Sequence, residues 1–303
     1  MSDDVAERVV VSVVIPTYNA ADLIPAQLEA LSVQTTSAPF EVIVADNGST
    51  DGLVAVVDEW RGRVDYPLRR VDASDQQGVS HARNVGATAS RGELILLCDA
   101  DDAVHPRWIE GHVRALESAD MTAGGRDVEG LNSGPERGWR DFPDPENPEL
   151  QWAHGFLPYA AGANVGMRRA VFEAIDGWDE EFAKGGNDDV DFSWRAQLHG
   201  FTLAPAQGAV VGYRLRDTLR GAARQSYNYG RSAEGLYERY PAHGLRPPRI
   251  LGEVKRLLMA AVQAPVAVWD PVRRGRFVFQ TANAWGGVVA ITRYRVRRRR
   301  PSR

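Results

Sequence analysis

The sequence predicts an α/β fold in which a mostly parallel central sheet is flanked by helices. Three apolar segments of the first hundred residues have the length and β-branched content of buried strands: Val9–Ile15, Glu41–Ala45 and Glu93–Cys98. Segments with helical spacing lie between them and before the last one: Leu23–Leu31, Leu53–Trp60 and Val79–Ala89. Strands that alternate with helices imply right-handed crossover connections and parallel pairing.

Polar residues follow each of these three strands. The clusters are Thr17-Tyr18-Asn19, Asp46-Asn47-Gly48-Ser49 and Asp99-Ala100-Asp101-Asp102. In an open α/β sheet, ligands bind outside the carboxyl ends of the strands. We therefore expect all three clusters to line one crevice.

The later part of the chain is organised differently. Prolines, glycines and charges accumulate from Gly130 to Pro158, as in a long irregular connection. Residues 217–240 have a helical pattern, and residues 250–291 predict amphipathic helices broken at Pro265 and Pro271. The sequence thus predicts a helical extension after the α/β region.

Charge is distributed unevenly along the chain. The net charge is −4, from 36 basic and 40 acidic residues. After Asp270 there are ten arginines and no acidic residue, so the preceding part has 26 basic residues against 40 acidic ones. Such a basic end is typical of a segment that meets an anionic surface. A solvated, disordered end is the alternative.

Cysteine content and hydropathy bear on the compartment. Cys98 is the only cysteine, which excludes an intramolecular disulfide and a structural zinc site, and its apolar surroundings predict burial. The start, Met1–Asp4, lacks a signal-peptide pattern. The apolar segments Leu257–Trp269 and Phe277–Ile291 are too short or too interrupted to span a membrane. These features predict a cytoplasmic protein.

The loop Asp99–Asp102 has the residues of a metal site. Carboxylates at i and i+2 after a strand can divide their contacts between a ribose and a cation. Mn²⁺ and Mg²⁺ prefer carboxylate and phosphate oxygens, so such a loop can hold a metal-bound diphosphate. The alternative is that these acids turn the chain and cap a helix near Pro106. Two other polar strand ends beside this loop favour the metal site.

The loop Asp46–Asp51 has two interpretations that are compatible. Asp46 could accept a hydrogen bond from a nucleobase N–H group, while Gly48 permits a tight turn. Alternatively, Ser49, Thr50 or Asp51 caps the next helix.

Seven motifs occur in a definite order: VSVVIPTYN at Val11–Asn19, EVIVADNGSTD at Glu41–Asp51, GVSHARNVG at Gly78–Gly86, DADD at Asp99–Asp102, GANVGMR at Gly162–Arg168, GWDEEF at Gly177–Phe182 and DDVDFSWR at Asp188–Arg195. Together they resemble the inverting glycosyltransferase family 2, which has the GT-A fold. The resemblance covers residues 9–216, about two thirds of the chain. Each motif alone is common, but their joint order and spacing are specific.

The resemblance implies a domain organisation. A GT-A nucleotide-sugar transferase domain would occupy residues 1–216, with a nucleotide-binding half at 9–105 and an acceptor and catalytic half at 159–216. Residues 217–303 would form the helical extension with its basic tail.

The resemblance also implies roles in donor binding. Pro16, Thr17 and Asp46 would line the nucleoside pocket, and Arg83 would lie near the sugar diphosphate. Asp99 would serve the ribose and the metal side, and Asp101 would bind Mn²⁺ or Mg²⁺ directly. The donor would be a UDP-, GDP- or dTDP-sugar.

The family's catalytic base is usually the second acid of an Asp-Asp or Glu-Asp pair, which corresponds to Asp189. Asp188 and Asp191 are alternative bases, and all three could instead stabilise the start of a helix. The acceptor hydroxyl would attack opposite the departing diphosphate as the base takes its proton, which inverts the anomeric configuration. Neighbouring acids should raise the pKa of the base, and a metal should oppose that effect.

Four further residues receive roles with open alternatives. Trp178 could stack on an acceptor sugar or be a core residue, and Asp188 would lie on the acceptor side. Arg214 and Arg216 could neutralise the diphosphate or belong to a solvated strand.

Two departures from the family pattern matter. Many relatives have a histidine near the Tyr-Arg pair, sometimes as a metal ligand, where this chain has Gly212, so metal binding could be weak. The segment Gln225–Tyr229 lacks the Gln-x-x-Arg-Trp motif of processive synthases. A non-processive hexosyl- or deoxyhexosyl-transferase of cell-surface glycan or glycoconjugate synthesis is therefore expected.

Other functions compete with this one. A sugar nucleotidyltransferase would have a glycine-rich basic loop after the first strand, and an oxidoreductase would have a G-x-G-x-x-G motif; neither is present. A catalytically silent nucleotide-sugar-binding protein is the other alternative. The expected partners are a glycan or lipid-linked acceptor and, through Arg293–Arg300, an anionic membrane surface. No nucleic acid is expected as a partner.

Overall fold

A computed structural model describes residues 9–182 and 186–298. The start at Met1–Asp4 and the last arginines, Arg299, Arg300 and Arg303, lie outside the described residues.

The first half of the chain forms four parallel strands in the order β3-β2-β1-β4. The strands are β1 (Val11–Thr17), β2 (Phe40–Asp46), β3 (Leu68–Asp72) and β4 (Leu94–Cys98). The connecting helices are α1 (Ile24–Ser32), α2 (Leu53–Arg61) and α3 (Val79–Ala89). The three predicted strands and three predicted helices are confirmed, with ends that differ by at most two residues. Strand β3 was not predicted.

The second half extends the same sheet. It contains β5 (Ala103–Val104), α4 (Trp108–Ala115), β6 (Met121–Asp127), β7 (Gln151–Ala153), β8 (Leu157–Tyr159), β9 (Asn164–Arg168), α5 (Arg169–Ala174), α6 (Asp188–Leu198) and β10 (Leu203–Gly212). Strands β5, β6, β9 and β10 join the main sheet, whereas β7 and β8 form a separate two-stranded sheet. Strand β9 lies between β4 and β6 and is antiparallel to both. Strand β10 pairs in parallel with β6. This arrangement confirms the mostly parallel sheet and carries the acidic end of β4 towards the later strands.

Both faces of the sheet are covered, which explains why the sequences of β1, β2 and β4 are predominantly apolar. Val13 and Ile15 of β1 pack with Leu28 of α1 on one face. Val14 packs with Leu97 of β4 on the other face. Full burial of each such side chain contributes about 1.5–3 kcal/mol. The rigid sheet fixes the strand ends at which the polar clusters lie.

Strand β3 contains two arginines, which form ion pairs with acids of β2. Arg69 contacts the buried Glu41 at 3.0 Å, and Arg70 contacts Asp46 at 3.0 Å. Burial raises the pKa of Glu41, but hydrogen bonds from Arg91, Ser12 and Arg69 hold it below its usual range. The charged residues that obscure the strand pattern of β3 in the sequence therefore hold this strand to the sheet.

Three helices follow the sheet: α7 (Leu219–Arg239), α8 (Ile250–Ala267) and α9 (Pro271–Arg298). Helices α7 and α9 approach closely at Gly230, which has no side chain. A Cβ atom at this position would lie 2.2 Å from the carbonyl oxygen of Asn283. The predicted helical extension is thus confirmed, and within it α9 packs on α7. The predicted break at Pro265 is wrong: Pro265 lies in the last turn of α8, where its missing N–H removes one hydrogen bond without ending the helix. Pro271 opens α9, as proline does at the first helical position.

The basic end is helical up to Arg298. Arg297 pairs with Glu238 at 2.9 Å and with Glu234 at 3.3 Å, both on α7. A disordered end is therefore wrong for residues 293–298. Cys98 is buried, as predicted, and accepts a hydrogen bond from Gln27.

Helix α8 exposes large apolar side chains on one face. They are Leu251, Leu258, Val262, Val266 and, just beyond the helix, Trp269. Their spacing of seven, four, four and three residues places them along one stripe. Within the described ranges, no helix is both long enough and apolar enough to cross a bilayer.

Candidate functional site

Two adjoining cavities lie at the carboxyl ends of β1, β2 and β4. The β1 cavity, of about 450 Å³, is lined by Pro16, Thr17, Tyr18, Asn47, Gln77, Gly78, Val79 and Ala82. The central cavity, of about 470 Å³, contains four acids, Asp99, Asp101, Asp188 and Asp189. Val79 lines both cavities. The three polar strand ends thus lie along one connected depression.

Asp46 shapes the wall of the β1 cavity without lining it. It is buried, and its carboxylate accepts hydrogen bonds from the Ser49 amide at 2.8 Å and from Arg70 at 3.0 Å. The next residue, Asn47, lines the cavity, although no role was predicted for it. A direct contact between Asp46 and a nucleobase stays a prediction.

The capping alternative for the Asp46–Asp51 loop is wrong. Helix α2 begins after Gly52 and receives no side-chain cap. Ser49 instead accepts a hydrogen bond from the Asn19 amide, and Asp51 accepts one from the Ala21 amide. These bonds tie the loop after β2 to the loop after β1, so they fix the shape of the β1 cavity.

Three carboxylates converge after β4. Asp99, Asp101 and Asp102 each offer an oxygen within 4.8 Å of the others. No separate role was predicted for Asp102. This buried residue accepts a hydrogen bond from the Arg214 amide at 2.8 Å. Its second oxygen is buried and has no hydrogen-bond partner among the described residues. This all-oxygen donor set with an unsatisfied atom fits a hard divalent cation.

The alternative that these acids cap the following helix is wrong. Helix α4 begins at Trp108, and its first turn receives no side-chain cap from them. The carboxylates instead face one another and two arginines. Arg214 donates to the Asp101 carbonyl oxygen at 2.8 Å, and Arg216 lies 3.3 Å from the Asp101 carboxylate. Both predicted diphosphate arginines therefore lie at the acidic loop.

Arg83 links the two halves of the site. It is buried on α3, forms an ion pair with Asp188 and lies 3.7 Å from the Asp99 carboxylate. Burial lowers the pKa of Arg83, but the charges of Asp188 and Asp99 raise it above its usual value. Burial also raises the pKa of Asp99 to about 6, although Arg83 opposes the shift. The guanidinium stays charged and brings the start of α6 close to β4.

Asp189 lies in the first turn of α6 and faces the central cavity. Its carboxylate accepts hydrogen bonds from the amides of Gly162 at 3.2 Å and Val190 at 2.9 Å. Burial and the neighbouring charge of Asp188 raise the pKa of Asp189 to about 6, while Arg83 lowers it. A carboxylate of this pKa is ionised at neutral pH and is a stronger proton acceptor than an ordinary aspartate.

The other two acids of this helix have structural partners. Asp188 lines the cavity, but its carboxylate is held by Arg83. Asp191 is fully buried away from the cavity and binds Arg195 at 2.8 Å and the Tyr240 hydroxyl at 2.7 Å. The geometry thus corrects the assignment of Asp191 as an alternative base, because a substrate cannot reach it.

The predicted stacking of Trp178 on an acceptor sugar is also corrected. It is 2% exposed and stacks on Phe192, with 3.9 Å between ring centroids. Its face is not open to an acceptor sugar, so the core alternative fits its position. The Gly177 carbonyl oxygen accepts a hydrogen bond from Arg195, which ties this turn to α6.

Several residues of the central cavity had no sequence signal. Arg126 of β6 and Tyr213 after β10 line it, as do Gln225, Asn228 and Tyr229 of α7. Gly212 lies on β10 opposite Ala103, and no histidine of the described chain joins the acidic cluster. Helix α7 therefore forms part of the wall of the central cavity.

Sequence comparison identifies related proteins. The model of the family "Glycosyl transferase family 2" matches residues 12–176, more than half of the chain. Glycosyltransferase AglE of Haloferax volcanii is 28% identical over 201 residues, which are 66% of this chain and 65% of AglE. Hyaluronan synthase of Pasteurella multocida is 28% identical over 240 residues, 68% of this chain and 24% of the synthase. The chain thus spans less than two thirds of either relative.

Solved structures share the fold. Mannosyltransferase PcManGT from Pyrobaculum calidifontis, in complex with GDP-Man and Mn²⁺, aligns with a TM-score of 0.59 and 19% identity over 97% of this chain and 76% of that chain. Residues 1–349 of TarS from S. aureus, in complex with UDP-GlcNAc, align with a TM-score of 0.55 and 16% identity over 94% and 91% of the two chains. The predicted GT-A architecture with a helical C-terminal region is thereby confirmed.

Proposed function

Because this chain belongs to glycosyltransferase family 2, we propose that it transfers a sugar from a nucleotide-sugar donor to an acceptor hydroxyl with inversion of configuration. One observation carries the proposal. Asp189, whose pKa is raised to about 6, faces the same cavity as the acidic loop and its arginines. A proton acceptor, a candidate cation site and diphosphate-binding groups are the parts that this reaction needs.

In this proposal the donor occupies both cavities. The nucleoside lies in the β1 cavity against Pro16 and Thr17, and the diphosphate extends into the central cavity towards Arg214 and Arg216. These guanidinium groups suit phosphate oxygens in charge and shape. Solved relatives of this fold contain GDP-Man or UDP-GlcNAc, which supports a nucleotide-sugar ligand. The proposed donor is a UDP-, GDP- or dTDP-sugar.

Asp99, Asp101 and Asp102 would hold Mn²⁺ or Mg²⁺. Such a cation, when bound, supplies positive charge that stabilises a departing diphosphate. Arg216 contacts the Asp101 carboxylate, so this arginine must yield part of that contact to a cation. The absence of a histidine at Gly212 agrees with a site made of carboxylates and ligand oxygens.

Asp189 acts as the general base in this proposal. The hydrogen bonds from Gly162 and Val190 orient its carboxylate, and Asp188 positions Arg83 beside it. The acceptor hydroxyl gives its proton to Asp189 as its oxygen attacks the anomeric carbon from the face opposite the diphosphate. A single displacement with one base inverts the configuration.

The main alternative is a nucleotide-sugar-binding protein without catalytic activity. The oriented Asp189 carboxylate argues against it, and Gly212 is the feature that favours it. A non-processive enzyme of cell-surface glycan or glycoconjugate synthesis remains our preferred role. A sugar nucleotidyltransferase is a weaker alternative because the loop after β1 has no glycine-rich basic sequence.

A nucleotide panel tests donor binding and separates these functions. We expect one of the UDP-, GDP- or dTDP-sugars, with Mn²⁺, to raise the melting temperature, since a ligand of the folded state stabilises it by about 2.7 kcal/mol at 100 times its Kd. The same nucleotide sugar should be hydrolysed slowly without an acceptor. Stabilisation without hydrolysis or transfer would indicate a silent binding protein, and no stabilisation by any member would refute the proposed donor class.

We also propose that α8 rests on an anionic bilayer surface. Trp269 is 86% exposed and Val262 is 79% exposed, and Lys255 and Arg256 lie on the same helix. Helix α9 adds Arg273, Arg274 and the arginines of its last turn, so the region that carries the apolar stripe is rich in cationic residues. Exposed apolar side chains in a cationic region suit an interface with anionic lipid headgroups.

Vesicle sedimentation tests this contact. The wild-type protein should sediment with phosphatidylglycerol vesicles at low salt and should do so less with phosphatidylcholine vesicles. The double substitution Val262→Ser and Trp269→Ser should reduce binding by roughly tenfold or more, because two inserted apolar groups are lost. Val54→Ser, which removes an exposed apolar group of α2, is the control. Equal binding by all three proteins would contradict this role of α8, and a concentration-dependent dimer lost in the double variant would assign the stripe to a second copy.

A further inference from the structure

A third cavity lies beside Asp189 on the side towards the C-terminal helices. We call it the Arg140 cavity; it measures about 260 Å³ and meets the central cavity at Arg126, Ala161, Asp189 and Tyr229. Helix α9 contributes Asn283 to its wall. A ligand in this cavity reaches Asp189 without occupying the acidic loop.

Two arginines of this cavity stack on aromatic rings. The Arg140 guanidinium carbon lies 4.9 Å from the Phe142 ring centre and 5.0 Å from that of Phe279. The Arg126 guanidinium carbon lies 5.2 Å from the Phe142 ring centre and 5.6 Å from that of Tyr213. Stacking holds the flat guanidinium groups in fixed planes, so little conformational freedom is lost when they bind a ligand.

These two charges have no carboxylate partner within the part of the chain that the structure describes. Arg83 and Arg216, in contrast, pair with Asp188 and Asp101. One terminal nitrogen of Arg140, Nη1, is buried without a hydrogen-bond partner among the described residues. Asp189 is the only acid among the described residues that line the cavity. A buried donor without a partner is costly, and two cations that share the Phe142 ring repel each other.

An oxyanion would satisfy both groups. Guanidinium groups bind phosphate and carboxylate through paired N–H donors, and these bonds are about twice as strong as neutral ones. A neutral sugar would leave the charge of both arginines uncompensated. The donor diphosphate is already provided for by Arg214 and Arg216 at the acidic loop. Arg126 lines both cavities, but Arg140 lines the Arg140 cavity and not the central one, so a negative group other than the diphosphate would be needed to satisfy it.

We propose that the Arg140 cavity binds a phosphoryl or carboxylate group of the acceptor through Arg126 and Arg140, so that the enzyme selects anionic acceptors. This inference rests on the proposed transferase function and names the class of its second substrate. The anionic group anchors the acceptor while a neighbouring hydroxyl lies at Asp189. Phe279 and Asn283 of α9 make the C-terminal extension part of this subsite.

Calorimetric titration tests the subsite. The full-length protein is first saturated with Mg²⁺ and the nucleoside diphosphate that binds best in the panel, which fills the donor arginines. Inorganic phosphate and D-glucuronate are then titrated separately. We expect a saturable site for at least one of them, and the tighter probe distinguishes a phosphorylated acceptor from a uronic acid. Arg140→Gln should weaken that binding about tenfold or more, because a charge-assisted pair of bonds is lost.

Two variants serve as controls. Arg137→Gln, three residues away, removes an exposed arginine that pairs with Glu129 and should bind the probe like the wild type. Arg140→Lys keeps the charge without the planar fork and should be intermediate. Melting temperature with and without nucleotide shows whether each variant is folded.

The outcomes separate this inference from the function on which it rests. If no nucleotide binds to the wild type, the proposed function fails. If nucleotide binds but neither phosphate nor glucuronate does, or if folded Arg140→Gln and Arg140→Lys both bind the probe like the wild type, only the anionic subsite is overturned.

Discussion

Substitution of Asp189 by asparagine is expected to reduce the rate of sugar transfer by roughly 10²- to 10⁴-fold, the usual contribution of a positioned general base. Asparagine has the same shape, and its amide oxygen can still accept a hydrogen bond from Gly162 or Val190. The amide cannot accept a proton from the acceptor hydroxyl. Steady-state transfer measurements with a saturating donor would give the loss in kcat, while the nucleotide-induced rise in melting temperature should persist.

The pH profile provides a second measure of the same role. Asp189 must be ionised to act, and its pKa is raised to about 6 by burial and by Asp188. The wild-type kcat/KM should therefore rise as the pH increases through about 6 and level off above it. Asp189→Asn should lose this rise in its residual activity. A cation bound nearby would move the rise to lower pH.

Two variants of the same helix turn are matched controls. Asp191→Asn breaks the buried contacts with Arg195 and Tyr240, so it should lower the melting temperature but leave transfer by the folded protein within a few fold. Asp188→Asn removes the ion pair of Arg83, which should weaken donor binding, and removes a charge that raises the pKa of Asp189, so the rise in kcat/KM should move to lower pH. Transfer that survives in Asp189→Asn but is lost in folded Asp188→Asn would move the base to Asp188.

The second large effect is expected at the acidic loop. Asp101→Asn should reduce donor hydrolysis and transfer by roughly a hundredfold or more, since a cation that stabilises a diphosphate contributes several kcal/mol. Asp101 belongs to the carboxylate cluster that would hold the cation, and an amide oxygen is a weaker ligand. Activity measured across a Mn²⁺ titration should show a higher metal requirement or no metal response.

Asp127→Asn is the matched control for this substitution. Asp127 ends β6 at the same edge of the sheet, and its carboxylate lies 3.4 Å from His105 outside the acidic cluster. Its metal response should match that of the wild type. If Asp101→Asn kept the wild-type response to Mn²⁺, the cluster would not be the functional cation site.

The sheet could be predicted where burial alone determines the sequence pattern. Strands β1, β2 and β4 are covered on both faces, so most of their residues are apolar. Strand β3 has Arg69 and Arg70, whose partners Glu41 and Asp46 are far away in the sequence. A pattern based on hydrophobicity cannot recognise a strand that is held to its neighbour by ion pairs.

The same difference between local sequence patterns and long-range contacts applies to the site. Asp99, Asp101 and Asp189 were predicted because each lies in a local motif, and the fold brings them to one cavity. Arg126, Arg140 and Tyr229 belong to β6, an irregular connection and α7, so only the tertiary fold brings them together. Trp178 was ambiguous because one aromatic residue in a turn can face either a ligand or the core.

A crystal structure of the protein with its donor nucleotide sugar and Mn²⁺ would show whether the acidic loop and Asp189 act on one bound donor. We expect the nucleoside in the β1 cavity against Thr17, the diphosphate between the acidic loop and Arg214, and the sugar with its anomeric carbon towards Asp189. A donor bound outside the central cavity, or one whose sugar points away from Asp189 with the metal held elsewhere, would contradict this expectation.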